Sequence, residues 1–476
     1  MKQKKFNLDT LLTIFMLLTA FVCMVTFAFI QPFGDGPDEI NRFKVVQFIY
    51  THGVLPIGND PEVLIDGYGA SYAFQPILTY IIDGYLLRLL SFLQPSLEMQ
   101  VFISRLVNVA FGLIMAGYVK KISNLIFTDK KAAWAFTLAV VFLPQNLFLH
   151  SYVNTDSMGF LSVAMILYAL LTGIKDDFSR SSSLHLSVGI ILCALSYYNC
   201  YGIVLCAVFV FVIHFFDTAD TSGKIRKLSF RLRDCLKKGL PIAGIVLAGI
   251  SWWFIRNALL YSGDFLALDA RQLCAAQTGL AEYNPLTRDT YARLGIPVLT
   301  MIFGTDYYTL VWKSFIAMFG PMIIPTHHYI YMGFKYWFIA AITGFLIPRK
   351  SNVLSAYTKS QKIIINTVMV TAILIPSYLA VYYSYTWEFQ PQGRYFHPML
   401  IPFMYFLAVG IQKLFDFIVF LVSKVVLSLK KEPKKIQHWV SLGLYHFLYA
   451  FLGLSLVYSV FIAFLNYYQT AGTSLF

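Results

Sequence analysis

The sequence predicts an all-α polytopic membrane protein, and three observations carry that prediction. Of 476 residues, 58% are apolar and 17% aromatic, while only 13% are charged, the balance of a chain that meets lipid over most of its length. Apolar segments of about 15–25 residues recur from Leu11 to Leu465, many of them long enough to cross a bilayer as helices. The net charge of +13 is unevenly placed. Segments 1–9, 120–131, 175–184, 217–238, 348–362 and 413–438 hold 26 of the 37 Lys and Arg but nine of the 24 acids, a balance of +17, and the remainder carries −4. That asymmetry is topology information under the positive-inside rule and excludes a nucleic-acid-binding surface. Six cysteines (Cys23, Cys193, Cys200, Cys206, Cys235, Cys274) form no spacing that implies a disulfide framework or a zinc site.

Taken in order, Lys2, Lys4 and Lys5 hold the N-terminus in the cytoplasm, so the first span, Leu11–Ile30, runs outward. It lacks a small-residue cleavage site and is too long for a cleavable signal. Residues 31 to about 98 form a first large external loop. Within it, Phe74–Leu93 carries Asp83 and Arg88, which lipid would penalise, so this segment is read as a dipping or interfacial helix. Val101–Val119 runs inward, Ala132–Leu149 outward and Met158–Ile174 inward. Leu184–Tyr198 and Gly202–Phe216 are an out-and-back pair, short for spans, followed by a basic cytoplasmic loop at about 217–238. Leu240–Ile255 runs outward to a second large external loop, about 256–330. Tyr331–Ile347, Ile363–Tyr383, Pro398–Val422 and Leu442–Leu465 complete about eleven crossings in a single integral membrane domain spanning 1–476. No internal repeat is visible, which weighs against an inverted-repeat transporter.

This topology brings the unusual polar clusters to one side, the outer face. They are Asp35/Asp38/Glu39, Asn154-Thr155-Asp156, Tyr197-Tyr198-Asn199, Arg256-Asn257 and Gln392-Gly393-Arg394-Tyr395. Convergence on one face is what an active site needs. Each cluster also has a purely structural explanation. Gly34, Gly36 and Pro37 suit a turn into a helix whose first residues, Asp38 and Glu39, complement the macrodipole. Asn154 or Thr155 suits a helix N-cap. Arg256 follows the interfacial anchor Trp252-Trp253. Arg394 could merely pair with Glu388. The loop Gln390–Pro398 is harder to dismiss, because its glycine and prolines aim an arginine at the membrane surface, where a planar fork binds phosphate bidentately. His327-His328 and His397 lack metal-ligand spacing.

Asp38-Glu39 after the first span resembles the acidic pair that opens the first external loop of GT-C glycosyltransferases. The nearest pattern is the branch of protein O-mannosyltransferases and lipid A aminoarabinose transferases. Phe74-Gln75-Pro76-Ile77-Leu78-Thr79-Tyr80 resembles that branch's Pro-Pro-Leu stretch with one proline missing, and Arg105-Leu106-Val107-Asn108 resembles its arginine opening the next span. Asn154-Thr155-Asp156 resembles the Asp that ends the following outward span. Trp253-Phe254-Ile255-Arg256-Asn257 and Gln392-Gly393-Arg394-Tyr395 are similar to motifs of related bacterial multi-spanning proteins. Those relatives often carry His shortly after the acidic pair, where this chain has Asn41-Arg42.

The resemblance implies a GT-C-like bundle and an inverting transferase. It would move a sugar from a polyprenyl-phosphate carrier to a cell-surface glycan, lipid or protein at the outer face. Asp38 or Glu39 could act as general base, and Arg394 and Arg256 could meet the developing charge of the lipid phosphate. Asp156 could orient the acceptor or help hold a divalent cation, which GT-C relatives do not all require. Asp35, Asn154, Asn257 and Tyr395 are further candidates for substrate binding. The rival class is a transporter, flippase or polymerase for lipid-linked glycans, and a third is a non-catalytic scaffold in a surface-glycan complex. Nearly charge-free spans disfavour the transporter.

Overall fold

The computed structural model describes residues 8–221, 225–349, 352–428 and 433–470, and statements of number or absence below concern these residues. The protein is helical almost throughout. The helices are α1 (Leu8–Ile30), α2 (Glu39–His52), α3 (Leu78–Leu89), α4 (Leu97–Ile126), α5 (Lys130–Val141), α6 (Pro144–Leu149), α7 (Asp156–Asp176), α8 (Arg180–Ala194) and α9 (Gly202–His214). They continue with α10 (Leu232–Leu260), α11 (Leu268–Thr278), α12 (Val298–Phe303), α13 (Tyr307–Ile316), α14 (His328–Leu346), α15 (Lys359–Thr386), α16 (Leu400–Ser428), α17 (Pro433–Val457) and α18 (Leu465–Thr470). A 3₁₀ segment, Gly393–Met399, leads into α16.

Seven stretches are long and apolar enough to cross a membrane. These are α1, α4, α7, α10, α15, Gly393–Val425 and Lys434–Thr470. The remaining expected crossings fall on shorter helices or on α14, so length and composition alone support seven of the eleven. Segment 132–149 divides because Pro144 disfavours helix in the residue before it, so α5 ends at Val141 and α6 begins at Pro144. α3 has twelve residues, about 18 Å of helix against about 30 Å of hydrocarbon.

The core is the bundle around α7, of which 89% of the span is buried against 11% for α10. α7 packs on α4, α8 and α9 and touches the 3₁₀ segment before α16. α14 and α16 meet backbone to backbone. A Cβ on Gly344 would fall 2.1 Å from the Gly410 carbonyl oxygen, and one on Gly410 2.0 Å from that of Ala341. Small residues allow this approach, which suits helices whose association depends on packing rather than on a hydrophobic drive. α2 and α3 pack together beside α4 and form a smaller apolar cluster with Val153, Leu195 and Trp253. That cluster supports the turn between α1 and α2, where the charged residues gather.

Candidate functional site

The turn after α1 has one strained residue at its end. Asp38 stands at the N-cap of α2 in the left-handed region, φ 62°, and its side chain does not cap the helix. Asp tolerates this conformation better than most residues, yet it still costs energy. Gly36 is required by contact, since a Cβ there would lie 2.9 Å from Gln31 Nε2 and 3.0 Å from Tyr152 Cβ.

Asp38 and Glu39 diverge. Glu39 turns inward and is fully buried. Arg105 Nε donates to its Oε1 at 2.8 Å and Arg105 Nη2 to its Oε2 at 2.6 Å. Val153 N donates to Oε1 at 3.0 Å and Gly34 N to Oε2 at 3.3 Å. Arg105 also donates to the carbonyls of Ala28 and Gln31 at 2.8 and 2.6 Å. This bidentate pair ties the end of α1, the start of α2, α4 and the chain before α7 together.

Asp38 turns toward Arg394. Arg394 Nη2 lies 2.8 Å from Asp38 Oδ2, and Arg42 Nη2 lies 3.7 Å from the same oxygen. Arg42 Nη1 reaches Asp156 Oδ2 at 3.7 Å. Two acids and two guanidinium groups therefore alternate in one cluster drawn from the first turn, α2, the first residue of α7 and the 3₁₀ segment. Burial alone would raise the Asp38 carboxyl, but Arg394 and Arg42 outweigh it and hold it at about 2. Arg42, Arg394 and Asp156 are buried, whereas 38% of the Asp38 side chain reaches the surface. Nε and Nη1 of both arginines and both oxygens of Asp156 make no hydrogen bond within the protein. Buried donors left unpaired in this number are costly unless a ligand meets them. Aromatic rings flank the cations, Tyr72 at 5.1 Å from Arg42 and Tyr395 at 5.0 Å from Arg394.

Local structure explains how Arg394 is delivered. Gly393 presses against α13, where a Cβ would fall 2.1 Å from Phe315 N, and its own N–H donates to Ser314 Oγ at 2.7 Å. His397 Nε2 donates to the Phe315 carbonyl at 3.1 Å. Arg394 does not pair with Glu388, which meets Arg288 at 3.4 Å and the Tyr68 hydroxyl at 2.9 Å.

The other residues set apart by the sequence lie at or outside the cluster's edge. Tyr395 hydrogen-bonds Arg394 and Gln390 Oε1. Asn154 is engaged by its own turn, donating to the carbonyls of Leu149 and Tyr152 and accepting from Ser157 N at 2.9 Å, so it ties down the first turn of α7 from the residue before the Thr155 N-cap. Asp35 faces Tyr468. Arg256 donates to the Pro56 carbonyl at 2.6 Å and stacks 5.3 Å from Trp253, while Asn257 is buried against the Phe265 carbonyl. Neither has a contact with Asp38, Asp156 or Arg394. Arg42 is the cluster member not singled out as a site residue. Its spacing, one helical turn after Asp38, is the sequence signal that points to it.

The donor set does not fit a divalent cation. Among the described residues no three His, Cys, Asp or Glu gather to hold a metal. The two carboxylates of the cluster, Asp38 and Asp156, already face guanidinium groups.

Fold and site together define a multi-pass membrane protein with a buried charge cluster between its spans and its loops. The chain belongs to the DUF2142 family of predicted membrane proteins, whose model matches residues 65–404. The match takes in Asp156 and Arg394 and begins after Asp38 and Arg42. None of the curated proteins matches the chain. Similar solved structures include ArnT from Cupriavidus metallidurans bound to undecaprenyl phosphate, at 13% identity and TM-score 0.48, covering 94% of this chain and 77% of that one. The archaeal oligosaccharyltransferase AglB from Archaeoglobus fulgidus, in complex with an inhibitory peptide and a dolichol-phosphate, is similar at 13% identity and TM-score 0.47. That likeness covers 94% of this chain, which spans 56% of AglB.

Proposed function

We infer that the protein is an inverting glycosyltransferase of GT-C type. It takes a sugar from a polyprenyl-phosphate donor and passes it to a hydroxyl of a surface glycan, lipid or protein. The observation that carries this reading is the pair of buried arginines, Arg42 and Arg394, each with two N–H donors unpaired in the same cluster. Two planar forks meeting at one point suit a phosphate. The distribution of positive charge supports a cytoplasmic N-terminus and a site at the outer face.

On this reading the carrier phosphate takes the place of Asp38 as the partner of Arg394 and Arg42. Asp38, the member of the cluster that reaches the surface, then accepts the proton of the incoming hydroxyl. The hydroxyl oxygen forms its bond to the anomeric carbon from the face opposite the phosphate. The carbon–oxygen bond to the phosphate breaks, its electron pair leaves with the lipid phosphate, and the two guanidinium groups stabilise that charge. Asp156 holds Arg42 in position and stands beside the acceptor path. Glu39, with both oxygens engaged by Arg105 and backbone N–H groups, positions the turn that carries Asp38. The test is release of polyprenyl phosphate from a panel of polyprenyl-phosphate sugars added to the purified protein. Absence of release from every donor, with folded protein, would overturn the reading.

A further inference from the structure

The chain between α11 and α13 is tied at two points to the outer end of α15. Ala292 N donates to the Tyr385 carbonyl at 3.1 Å. The Phe389 ring, just past that helix, meets Tyr291 at 5.3 Å and Tyr307 at 5.9 Å. α15 has 28 residues, about 42 Å of helix, close to the bilayer thickness of about 40–45 Å with its headgroups. Lys359 and Lys362 mark its first turn as the cytoplasmic end. Its last turn therefore stands at the outer headgroup level, and so do the points where residues 291–307 are pinned to it.

α12 hangs between those points, opened by Pro297 and closed by Gly304. Met301 is fully buried and fixes which side of α12 meets the protein. At 100° per residue, Leu299 and Phe303 each stand about 160° around the helix from Met301 and within about 40° of each other. They are 64% and 72% exposed. A helix whose outer side faced water would carry polar or charged residues there. Leu294 and Tyr308, on either side of α12, are exposed as well, and the Tyr308 ring lies 6.4 Å from that of Phe303. Leucine, phenylalanine and tyrosine at headgroup height are the composition of an interfacial anchor. On α15, Leu374 and Tyr378 stand within about 20° of Tyr385 around the helix and are exposed. The lipid-facing side of that span thus runs up to α12.

We propose that α12 docks in the outer leaflet of the membrane, with Leu299 and Phe303 among the upper acyl chains and Tyr308 at the headgroups. The docking bears on the charge cluster. α13 follows α12 and ends on Ser314 and Phe315, which hold Gly393 and His397. A leaflet-bound α12 therefore fixes the height of Arg394 relative to the headgroups. The anchor itself does not depend on the transferase reading.

Cys235→Ser removes the one native thiol that is not buried, and Phe303→Cys then carries an environment-sensitive fluorophore in lipid nanodiscs. Its emission should shift to the blue and lose most of its intensity when lipids bearing a nitroxide high on the acyl chain are included. Leu299→Cys should behave alike, and Asn59→Cys, exposed on the first external loop, should do neither. Adding Leu299→Asp to the Phe303 probe should abolish the quenching, whereas Leu299→Ile should keep it. Unshifted, unquenched probes at both positions would overturn the assignment and place α12 in water. A blue-shifted probe that the lipid nitroxide fails to quench would also overturn it, because a protein surface such as a second copy of this chain would then cover the helix. Equal quenching with Leu299→Asp would show that the apolar face is not what docks. Quenching intact alongside failure of the donor-release assay would sink the transferase reading and leave the anchor standing.

Discussion

Arg394 Nη2 lies 2.8 Å from Asp38 Oδ2, although 356 positions separate the two residues in the chain. This contact joins the turn after the first helix to the loop before α16, and it sets a test for each partner.

Arg394→Lys keeps the charge but loses the planar fork, so donor binding and turnover should both fall, and Arg394→Ala should be worse. Titration of a polyprenyl-phosphate donor by thermal shift, alongside the release assay, separates the two effects. Arg42→Ala should copy this behaviour. Unchanged donor binding in both variants would remove the phosphate clamp.

Asp38→Asn should lower turnover by about 10²–10⁴-fold, the usual contribution of a general base, while leaving donor affinity largely intact. The pH profile gives an independent check. In the free enzyme, which kcat/KM reports, burial is outweighed by Arg394 and Arg42, which hold the Asp38 pKa at about 2. Asp38 is therefore ionised throughout pH 4–8 and adds no acidic limb to that profile. Its pairing stabilises the fold above the ordinary carboxylate range and loses that effect as pH falls through about 2. Arg394→Gln removes the nearer of the two cations, so the acidic limb of kcat/KM should move up in pH.

Glu39 and Arg105 should behave as a structural unit. Arg105→Ala leaves a buried carboxylate without its partner, at a cost of about 3–5 kcal/mol, read as a fall in the unfolding temperature in detergent. The double variant Glu39→Gln/Arg105→Met should recover part of that loss. Equal destabilisation by the single and double variants would show that the charge is not the cause.

Asp83 on α3 is fully buried and both of its oxygens lack a partner, so burial raises its pKa well above the carboxylate range. The folded state holds a proton that the unfolded state releases, so stability declines as pH rises above about 4. Asp83→Asn should therefore raise the unfolding temperature, by more at pH 8 than at pH 5. A constant difference would mean that Asp83 is not protonated in the fold.

Orientation can be read by an impermeant thiol reagent on intact cells. Cysteines placed at Glu98 and Asn124, both exposed positions near opposite ends of α4, should differ, the first reactive and the second protected. Labelling of Asn124→Cys from outside would reverse the expected topology.

The helical membrane architecture was legible because lipid imposes it on composition: apolar runs and a one-sided distribution of Lys and Arg are unavoidable in such a chain. The exact run of short helices was less so, since hydropathy does not register where Pro144 divides a segment. Asp38, Asp156 and Arg394 stood out as charges in places where charge is costly, and the fold brings them together. Arg42 was hidden, because Asn41-Arg42 on a short helix reads as a solvated face until its neighbours are known. Asp38 and Glu39 are chemically alike and adjacent, and only the left-handed turn at Asp38 sends one outward and one inward.

The long separation of Asp38 from Arg394 also sets a timetable for biosynthesis. At about 5–20 residues per second of synthesis, the arginine emerges on the order of 20–70 s after the acid it neutralises. Throughout that interval, Arg42 is the one cation of the cluster available to Asp38 and Asp156 in the growing chain. A nascent chain stopped before Gly393 would carry two acids and one guanidinium group in a half-built membrane domain. The site can close only after residue 394 of 476 has been made, when about five-sixths of the chain has already emerged.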